Sequence, residues 1–461
     1  MDYYSYLNSL KGKHIGVIGF GVSNQPLVEA LLYAGCDVTV CDQRDMASLG
    51  DAGIKAKQNG AKFCLGKEYL DHLYFDIVFR TPGVLPIVPQ LKAAAENGTV
   101  FTSEMEAFCS LCPCSIIAIT GSDGKTTTST IISELLKAAG NRVHLGGNIG
   151  TPLFTRLPEI QKDDYVVLEL SSFQLHSMKC SPDVAVITNV APNHLDVHPD
   201  FQDYVCAKQN IYRGQTENAV LVLNQKDPHT PEFYLDAPGQ VRLFSSSGPV
   251  ENGAYLEDGQ IYWSRNGERF PIIRSSDIRI PGAHNVENYM AAFAALDGLI
   301  TKDDCFAVAT TFPGVPHRME FIREIRGVRF YNDSIASSPS RTIAGLHAWP
   351  KPPIILLGGH DKHIPFDELG DELCQHAKAA VLCGETAAQI EAAIRKSKHF
   401  GENTLPIIVE KDFKTAVMKA YEIAQSGDLV ALSPACSSFD QFKNFAERGN
   451  TFRRIVEALE E

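Results

Sequence analysis

No window of this 461-residue sequence is apolar and long enough to span a bilayer, so membrane insertion is not expected. The opening Met1-Asp-Tyr-Tyr-Ser-Tyr-Leu7 lacks the apolar core of a secretory leader, which predicts a cytoplasmic protein. Basic residues are in deficit: 42 Lys and Arg stand against 55 Asp and Glu, a formal net charge of −13. That balance argues against nucleic acid and acidic membranes as main partners. It also means that a polyphosphate ligand must be held locally, by individual cationic side chains, backbone N–H groups and metal. Internal repeats and low-complexity tracts are missing as well. Cysteine is not scarce, at 12 residues, but without a leader the thiols are expected to be reduced. Cys109, Cys112 and Cys114 look like half of a zinc site, yet no Cys or His pair stands at the usual partner spacing, so structural zinc is not expected.

What is present is a globular composition, 44% hydrophobic and 21% charged, of a length that predicts about three domains. The most informative stretch runs from Ser115 to Thr130. An apolar strand pattern ends in Thr120-Gly-Ser-Asp-Gly-Lys-Thr126, and a helical pattern follows. Such glycines let a backbone fold round a phosphate with its N–H groups inward, and the helix N-terminus adds partial positive charge. Gly121, Ser122, Asp123, Gly124, Lys125, Thr126 and Thr127 are therefore candidate ATP contacts, with Lys125 reaching the outer phosphates and Thr126 holding Mg²⁺. The commonest phosphate loop has a glycine five residues before its Gly-Lys pair; here that residue is Ile119, so this is a variant loop.

Around this loop the pattern is α/β throughout. His14–Gly19, Asp37–Cys41 and Phe75–Phe79 read as strands of an open parallel sheet, with a helix from Gln25 to Ala34. Strands are expected at Tyr165–Leu170, Val184–Thr188 and Ala219–Leu223. Between about residues 238 and 280, short strands with turns at Glu257-Asp-Gly259 and Arg265-Asn-Gly267 predict an antiparallel addition. A helix from His284 to Leu299 closes this region, and Phe312-Pro-Gly-Val-Pro-His317 reads as a linker. Alternation resumes with Val328–Asn332, Pro353–Leu357, Ala379–Cys383, Leu405–Val409 and Asp428–Leu432. The expected fold is three domains: Rossmann-like over 1–112, a central P-loop ATPase-type α/β domain with added antiparallel strands over 113–314, and Rossmann-like over 315–461.

Two further constellations stand at strand ends. Gly19-Phe-Gly-Val-Ser-Asn24, with Asp42 closing the next strand, is similar to a dinucleotide fingerprint whose last glycine is replaced; a tight turn that binds nothing is the plain alternative. A nicotinamide dehydrogenase would leave the second phosphate loop without a purpose. Glu169 precedes Ser171-Ser-Phe-Gln174, and His194 lies within Thr188-Asn-Val-Ala-Pro-Asn-His-Leu-Asp196. Carboxylate, hydroxyl and occasionally imidazole suit hard Mg²⁺, although each residue alone also reads as a solvated strand end.

With these strings in place the chain resembles the ATP-dependent Mur ligases. The resemblance runs through Thr120–Thr126, Gly147-Asn-Ile-Gly150, Glu169–Gln174, Asn193-His-Leu-Asp196, Ala207-Lys208, Gly282–Asn288, Pro316-His-Arg318, Tyr331-Asn-Asp-Ser334, Leu357–Lys362 and Ser433–Phe442. The last string points to the member that adds D-glutamate to UDP-N-acetylmuramoyl-L-alanine, and the Asp-Asn-Pro-Arg signature of the diaminopimelate- or lysine-adding sister is absent. The resemblance implies a ligase acting through an acyl phosphate in peptidoglycan precursor synthesis. It implies ATP and two Mg²⁺ ions, with Thr126 and Glu169 at one and His194 and Lys208, carbamylated, at the other. Lys125, Lys208, His194 and Glu169 would be the catalytic set. Asn285, Asn288, Arg318 and Asp333 would meet the nucleotide. Ser23, Asp42, Arg44 and Gly83 would hold the uridine diphosphate, Asn148 and His194 would lie nearer the sugar and its peptide, and Ser171 and Gln174 would be further substrate contacts. Ser337, Lys362, Ser438, Phe439 and Phe445 would frame D-glutamate. A monomer is expected. Two positions depart from the family pattern: Ile335 stands where lysine is common, and Asp123 where asparagine is usual. A sister ligase with another amino acid, a folate polyglutamylating enzyme of the same superfamily and a P-loop nucleotide sensor are the other readings.

Overall fold

Aliphatic runs alternating with amphipathic helices build three sheets in a computed structural model that describes residues 1–192, 197–362, 364–400 and 405–460. The first holds β1 (His14–Ile18), β2 (Asp37–Asp42), β3 (Lys62–Leu65), β4 (Ile77–Arg80) and β5 (Val100–Thr102) in the order β3-β2-β1-β4-β5. All its pairings are parallel. Strand order reverses beside β1, and the turns after β1 and β4 lie at that switch point, where such sheets bind ligands.

The second sheet contains β6 (Ser115–Thr120), β7 (Val143–Gly147), β8 (Tyr165–Glu169), β9 (Val184–Ile187), β10 (Val220–Asn224), β11 (Gln240–Ser245), β12 (Gly253–Glu257), β13 (Gln260–Arg265) and β14 (Glu268–Arg274). Their order is β14-β13-β12-β11-β10-β9-β6-β8-β7, with the phosphate-loop strand β6 buried between β9 and β8. The antiparallel addition begins later than its sequence pattern suggests, because β11 and β12 still pair in parallel. Only β12, β13 and β14 are antiparallel. They are joined by two-residue turns whose first residues, Asp258 and Asn266, have φ of 50° and 51°, as hairpin turns require.

The third sheet is formed by β15 (Glu320–Ile325), β16 (Val328–Asn332), β17 (Ile354–Leu357), β18 (Ala379–Leu382), β19 (Ile407–Val409) and β20 (Leu429–Leu432), in the order β15-β16-β20-β17-β18-β19. An antiparallel edge strand, β15, joins five parallel ones.

The first two sheets belong to one compact unit, residues 1–277 with 287–308, and the third to a second unit, residues 278–286 with 309–461. Within the first unit one apolar cluster spans both sheets. Met105, Phe108 and Leu111 of the helix Glu104–Leu111 share it with Leu153, Phe154 and Leu157. Glu104, at the start of that helix, accepts the Phe154 N–H at 3.0 Å. Burial pushes its carboxyl up to about 7, against the pull of that hydrogen bond. No helix among the described residues is long and apolar enough to cross a membrane.

Candidate active site

The loop after β6 has a shape only glycine allows. Gly121 has φ of 151°, and a Cβ there would lie 1.9 Å from Thr188 Oγ1; Gly124 has φ of 80°, and a Cβ would lie 2.5 Å from Asn288 Oδ1. Gly124 then caps the helix Lys125–Ala138. Lys125 Nζ curls back and donates to the carbonyls of Gly121 and Ser122, each at 2.9 Å. Ser122 Oγ sits 2.8 Å from the Ala191 carbonyl and 2.9 Å from the Tyr204 hydroxyl. The Asp123 side chain is exposed, while its N–H donates to Asn189 Oδ1 at 3.0 Å. Thr126 is half-buried and Thr127 buried. Asn288 also receives the Thr128 hydroxyl at 3.2 Å, so the helix Ala283–Ala295 is tied to this loop.

Two residues that sequence alone would place in solvent are buried here. Glu169, ending β8, is 1% exposed. Its Oε1 accepts from Asn148 Nδ2 at 2.9 Å, and Oε2 is buried with no hydrogen-bond partner among the described residues. A buried carboxylate oxygen without a donor is costly and suits a cation. Lys208, on the helix Phe201–Gln209, is also 1% exposed. Its Nζ donates to the Gly121 carbonyl at 2.6 Å and lies 4.5 Å from the Tyr204 ring centroid. Burial, reinforced by the neighbouring Lys125 charge, drives its ammonium well below the usual lysine range. Ser171 and Gln174 form a reciprocal capping box at the helix Ser172–Leu175, which follows Glu169 directly. Those two side chains therefore already bond each other. His194 lies outside the described residues.

Residues that motif reading did not single out hold this region together. Asp203 Oδ1 and Oδ2 bond His176 Nε2 at 3.0 Å and His198 Nδ1 at 2.6 Å, and His198 Nε2 bonds Ser172 Oγ at 3.0 Å. The Glu169 loop is thereby joined to the Lys208 helix. The spacing offered one signal: Tyr204 and Lys208 are four residues apart, hence on one helical face.

At the switch point of the first sheet, Asp42 Oδ2 accepts the Phe20 N–H at 2.7 Å and the Arg44 guanidinium also at 2.7 Å. Burial alone would raise this carboxyl, but Arg44 and the two backbone N–H groups outweigh it and hold it at about 2. Asp42 thus shapes the Gly19–Asn24 turn. Ser23 and Gly83 are exposed on the turns after β1 and β4.

In the second unit the expected residues follow the carboxyl ends of three neighbouring strands: Asp333 and Ser337 after β16, Lys362 after β17, and Ser438, Phe439 and Phe445 after β20. Asp333 accepts from Ser433 Oγ at 2.9 Å and from the Met319 N–H at 3.2 Å. Burial raises its carboxyl to about 7. Arg318 Nε is buried with no hydrogen-bond partner among the described residues. Asn285 Nδ2 donates to the Pro281 carbonyl at 2.5 Å. Lys362 Nζ donates to the Ser337 carbonyl at 3.1 Å, which joins two expected amino-acid contacts. Ser438 is buried, and Phe439 and Phe445 are exposed. Ile335 leaves no cation at its own position, but Arg341, one turn into the helix Pro339–Ala348, donates to the Ile335 carbonyl at 3.3 Å.

Residues 119–296 match the Mur ligase middle domain and residues 317–436 the Mur ligase glutamate ligase domain. The chain is 48% identical to the UDP-N-acetylmuramoylalanine–D-glutamate ligase of Acetivibrio thermocellus, over 99% of this chain and 98% of that one. It is 45% identical to the enzyme of the same name from Clostridium novyi, over 98% of each. The chain belongs to the Mur ligase family. Among solved structures, MurF from Acinetobacter baumannii aligns with a TM-score of 0.59 at 18% identity, covering 99% of this chain and 93% of that one. UDP-N-acetylmuramate-alanine ligase MurC from Thermotoga maritima gives 0.56 at 16%, covering 96% and 98%. At those identities the likeness concerns the fold: three α/β sheets, the first parallel and the other two mixed, is the Mur ligase fold. Lys125 opens the helix that follows β6, and the unpaired Glu169 oxygen stands at the carboxyl end of the adjacent strand β8.

Proposed function

We propose that this Mur ligase adds D-glutamate to UDP-N-acetylmuramoyl-L-alanine at the expense of ATP, in cytoplasmic peptidoglycan precursor synthesis. The observation that carries this reading is identity of 43–48% over 98–99% of the chain to ligases bearing that name. We divide the chain into a UDP-sugar domain (1–112), an ATP domain (113–314) and an amino-acid domain (315–461), acting as a monomer.

The alanyl carboxylate of the acceptor attacks the γ-phosphorus of ATP; ADP leaves and an acyl phosphate forms. The amine of D-glutamate then attacks the acyl carbon, loses a proton, and inorganic phosphate departs. Mg²⁺, when bound, neutralises phosphate charge and aligns the transferred group. Thr126 and Glu169 would hold one ion, and His194 with Lys208 a second. Lys125 leaves its loop carbonyls for the outer phosphates, and the loop N–H groups cradle them. Burial disfavours the Lys208 ammonium, and its neutral amine can add CO₂ and release a proton, which leaves an anionic carbamate as oxygen ligand. Gly121, Ser122, Asp123, Gly124, Thr127, Asn285, Asn288, Arg318 and Asp333 are the remaining proposed nucleotide contacts. Ser23, Asp42, Arg44, Gly83, Asn148, Ser171 and Gln174 would serve the UDP-sugar, and Ser337, Lys362, Ser438, Phe439 and Phe445 D-glutamate.

The test is phosphate release from ATP with the UDP-sugar-alanine acceptor and a panel of amino acids. Release should require the acceptor and select strongly for D-glutamate. Equal rates with L-alanine or L-lysine would move the chain to a sister activity, and acceptor-independent hydrolysis would make it a nucleotide sensor.

A further inference from the structure

Two helices of the second unit, Pro339–Ala348 and Asp367–His376, carry a cluster that the ligase reaction does not use. Glu372 and His376 are four residues apart and share one face of their helix. His347 stands in the last turn of the other helix. Its Nε2 lies 3.0 Å from Glu372 Oε2, and His376 Nε2 lies 3.4 Å from the same oxygen. That oxygen is nevertheless buried without a hydrogen-bond partner among the described residues. The short separations are therefore not N–H···O bonds. Ligand atoms of all three side chains lie within 4.8 Å of one another. The His176, His198 and Asp203 group differs: its close contacts are hydrogen bonds, which account for its geometry.

We propose that His347, Glu372 and His376 form a binding site for a divalent transition cation of Zn²⁺ character. Two imidazoles and one carboxylate are a Zn²⁺ ligand set that leaves a fourth position for water. At Zn–ligand lengths of about 2.1 Å the edge of a tetrahedron is about 3.4 Å, close to both measured separations. Mg²⁺, which prefers oxygen ligands, is disfavoured. The frame is set in advance, because Leu346 beside His347 is buried in one apolar cluster with Leu369 and Leu373 of the facing helix. Entry is open, since the His347 and His376 side chains are 50% and 41% exposed while Glu372 is 24% exposed beneath them. An ion here staples one helix to the next. The first of these helices also backs Asp333, whose carboxylate lies 3.5 Å from where a Gly345 Cβ would be.

The test uses the full-length chain, stripped of metal by chelation and kept in excess Mg²⁺. Zn²⁺ is titrated by calorimetry, and Co²⁺ serves as an optical probe. The wild type should bind one more Zn²⁺ than the double variant His347→Ala/His376→Ala. It should show the intense visible bands of four-coordinate Co²⁺, and its Tm should rise by roughly 5 °C at a hundredfold excess over Kd. The double variant should show neither the bands nor the rise, and Glu372→Gln, which preserves shape, should lose the bands. Unchanged Mg²⁺-dependent ligase turnover in both variants reports an intact fold. Equal stoichiometry and equal Tm shift in the wild type and Glu372→Gln would overturn the site, as would Co²⁺ spectra identical in all three proteins.

Discussion

Lys208 is the residue on which the proposed chemistry depends most. Apart from Tyr204 one turn earlier, nothing in its sequence neighbourhood marks it as buried, yet it reaches the Gly121 carbonyl from inside the protein. Lys208→Ala should be inactive, and formate or acetate in the medium should restore part of the activity by supplying the missing oxygens. Full activity of the unsupplemented variant would end the carbamate idea. Asp333 makes a different prediction. Its folded carboxyl ionises near 7, against 3.8 for an ordinary aspartate. Between those values the folded chain holds a proton that the unfolded chain has released, so this group's stabilisation is full below the lower value and is lost as pH rises to about 7. Asp333→Asn cannot titrate. Measured by denaturant titration, the stability of the variant relative to wild type should increase from pH 5 to pH 7 by at most about 1.4 kcal/mol per pH unit. A difference that does not change with pH would mean that the carboxyl is ionised throughout.

At the scale of elements, the strand–loop–helix unit of β6 is the part most legible in the sequence. Its glycines and Gly-Lys-Thr spacing demand this backbone, and Gly121→Ala should show how strictly. The added methyl would meet Thr188 Oγ1 at 1.9 Å at a φ of 151° that a side chain disfavours, so the Thr188 hydroxyl must leave the Asp123 carbonyl or the loop must shift. Turnover should fall on the order of a thousandfold, as expected when phosphate-binding donors are misplaced, while circular dichroism stays native. Near-normal turnover would show that the loop tolerates the shift. Most strand positions were legible for a related reason, being short apolar runs bounded by turn residues, but β3, β5, β7 and β15, which are shorter or carry polar residues and glycine, were not. The pairing of β11 with β12 was not legible either, because the direction in which a strand joins its neighbour is set by partners rather than by its own pattern. The Asp203 bridge between two histidines was also hidden, since His176, His198 and Asp203 meet only once the loop after β8 is folded against the helix Phe201–Gln209. The family strings, by contrast, marked the Glu169 loop and the ends of β16, β17 and β20 without revealing that Glu169 and Lys208 are buried.

For the molecule as a whole, the apolar cluster that runs through the first two sheets makes them one body. Phe154 is 1% exposed and meets the rings of Tyr3 and Tyr6 at centroid distances of 5.4 and 6.1 Å. Phe154→Ala should therefore cost about 3–5 kcal/mol and lower the protection of amides in both sheets together, read by native-state hydrogen exchange. Loss of protection in one sheet alone would show that each keeps its own core.

Arg448 carries a consequence for how the third sheet comes to be made. Its side chain is buried, and its guanidinium donates to the carbonyls of Ser334, Cys436 and Ser437 while Nε meets Ser334 Oγ. These acceptors belong to segments separated by about a hundred residues of chain and exist as a cradle only after β16 and β20 are side by side. A guanidinium cannot give up its water before the cradle exists. The seating of the helix Phe445–Glu457 is thus predicted to be a late event in folding, after the strands have paired. Arg448→Met should accelerate unfolding far more than it slows refolding, as stopped-flow chevrons would record; an effect mainly on the refolding limb would put the arginine in the nucleus instead.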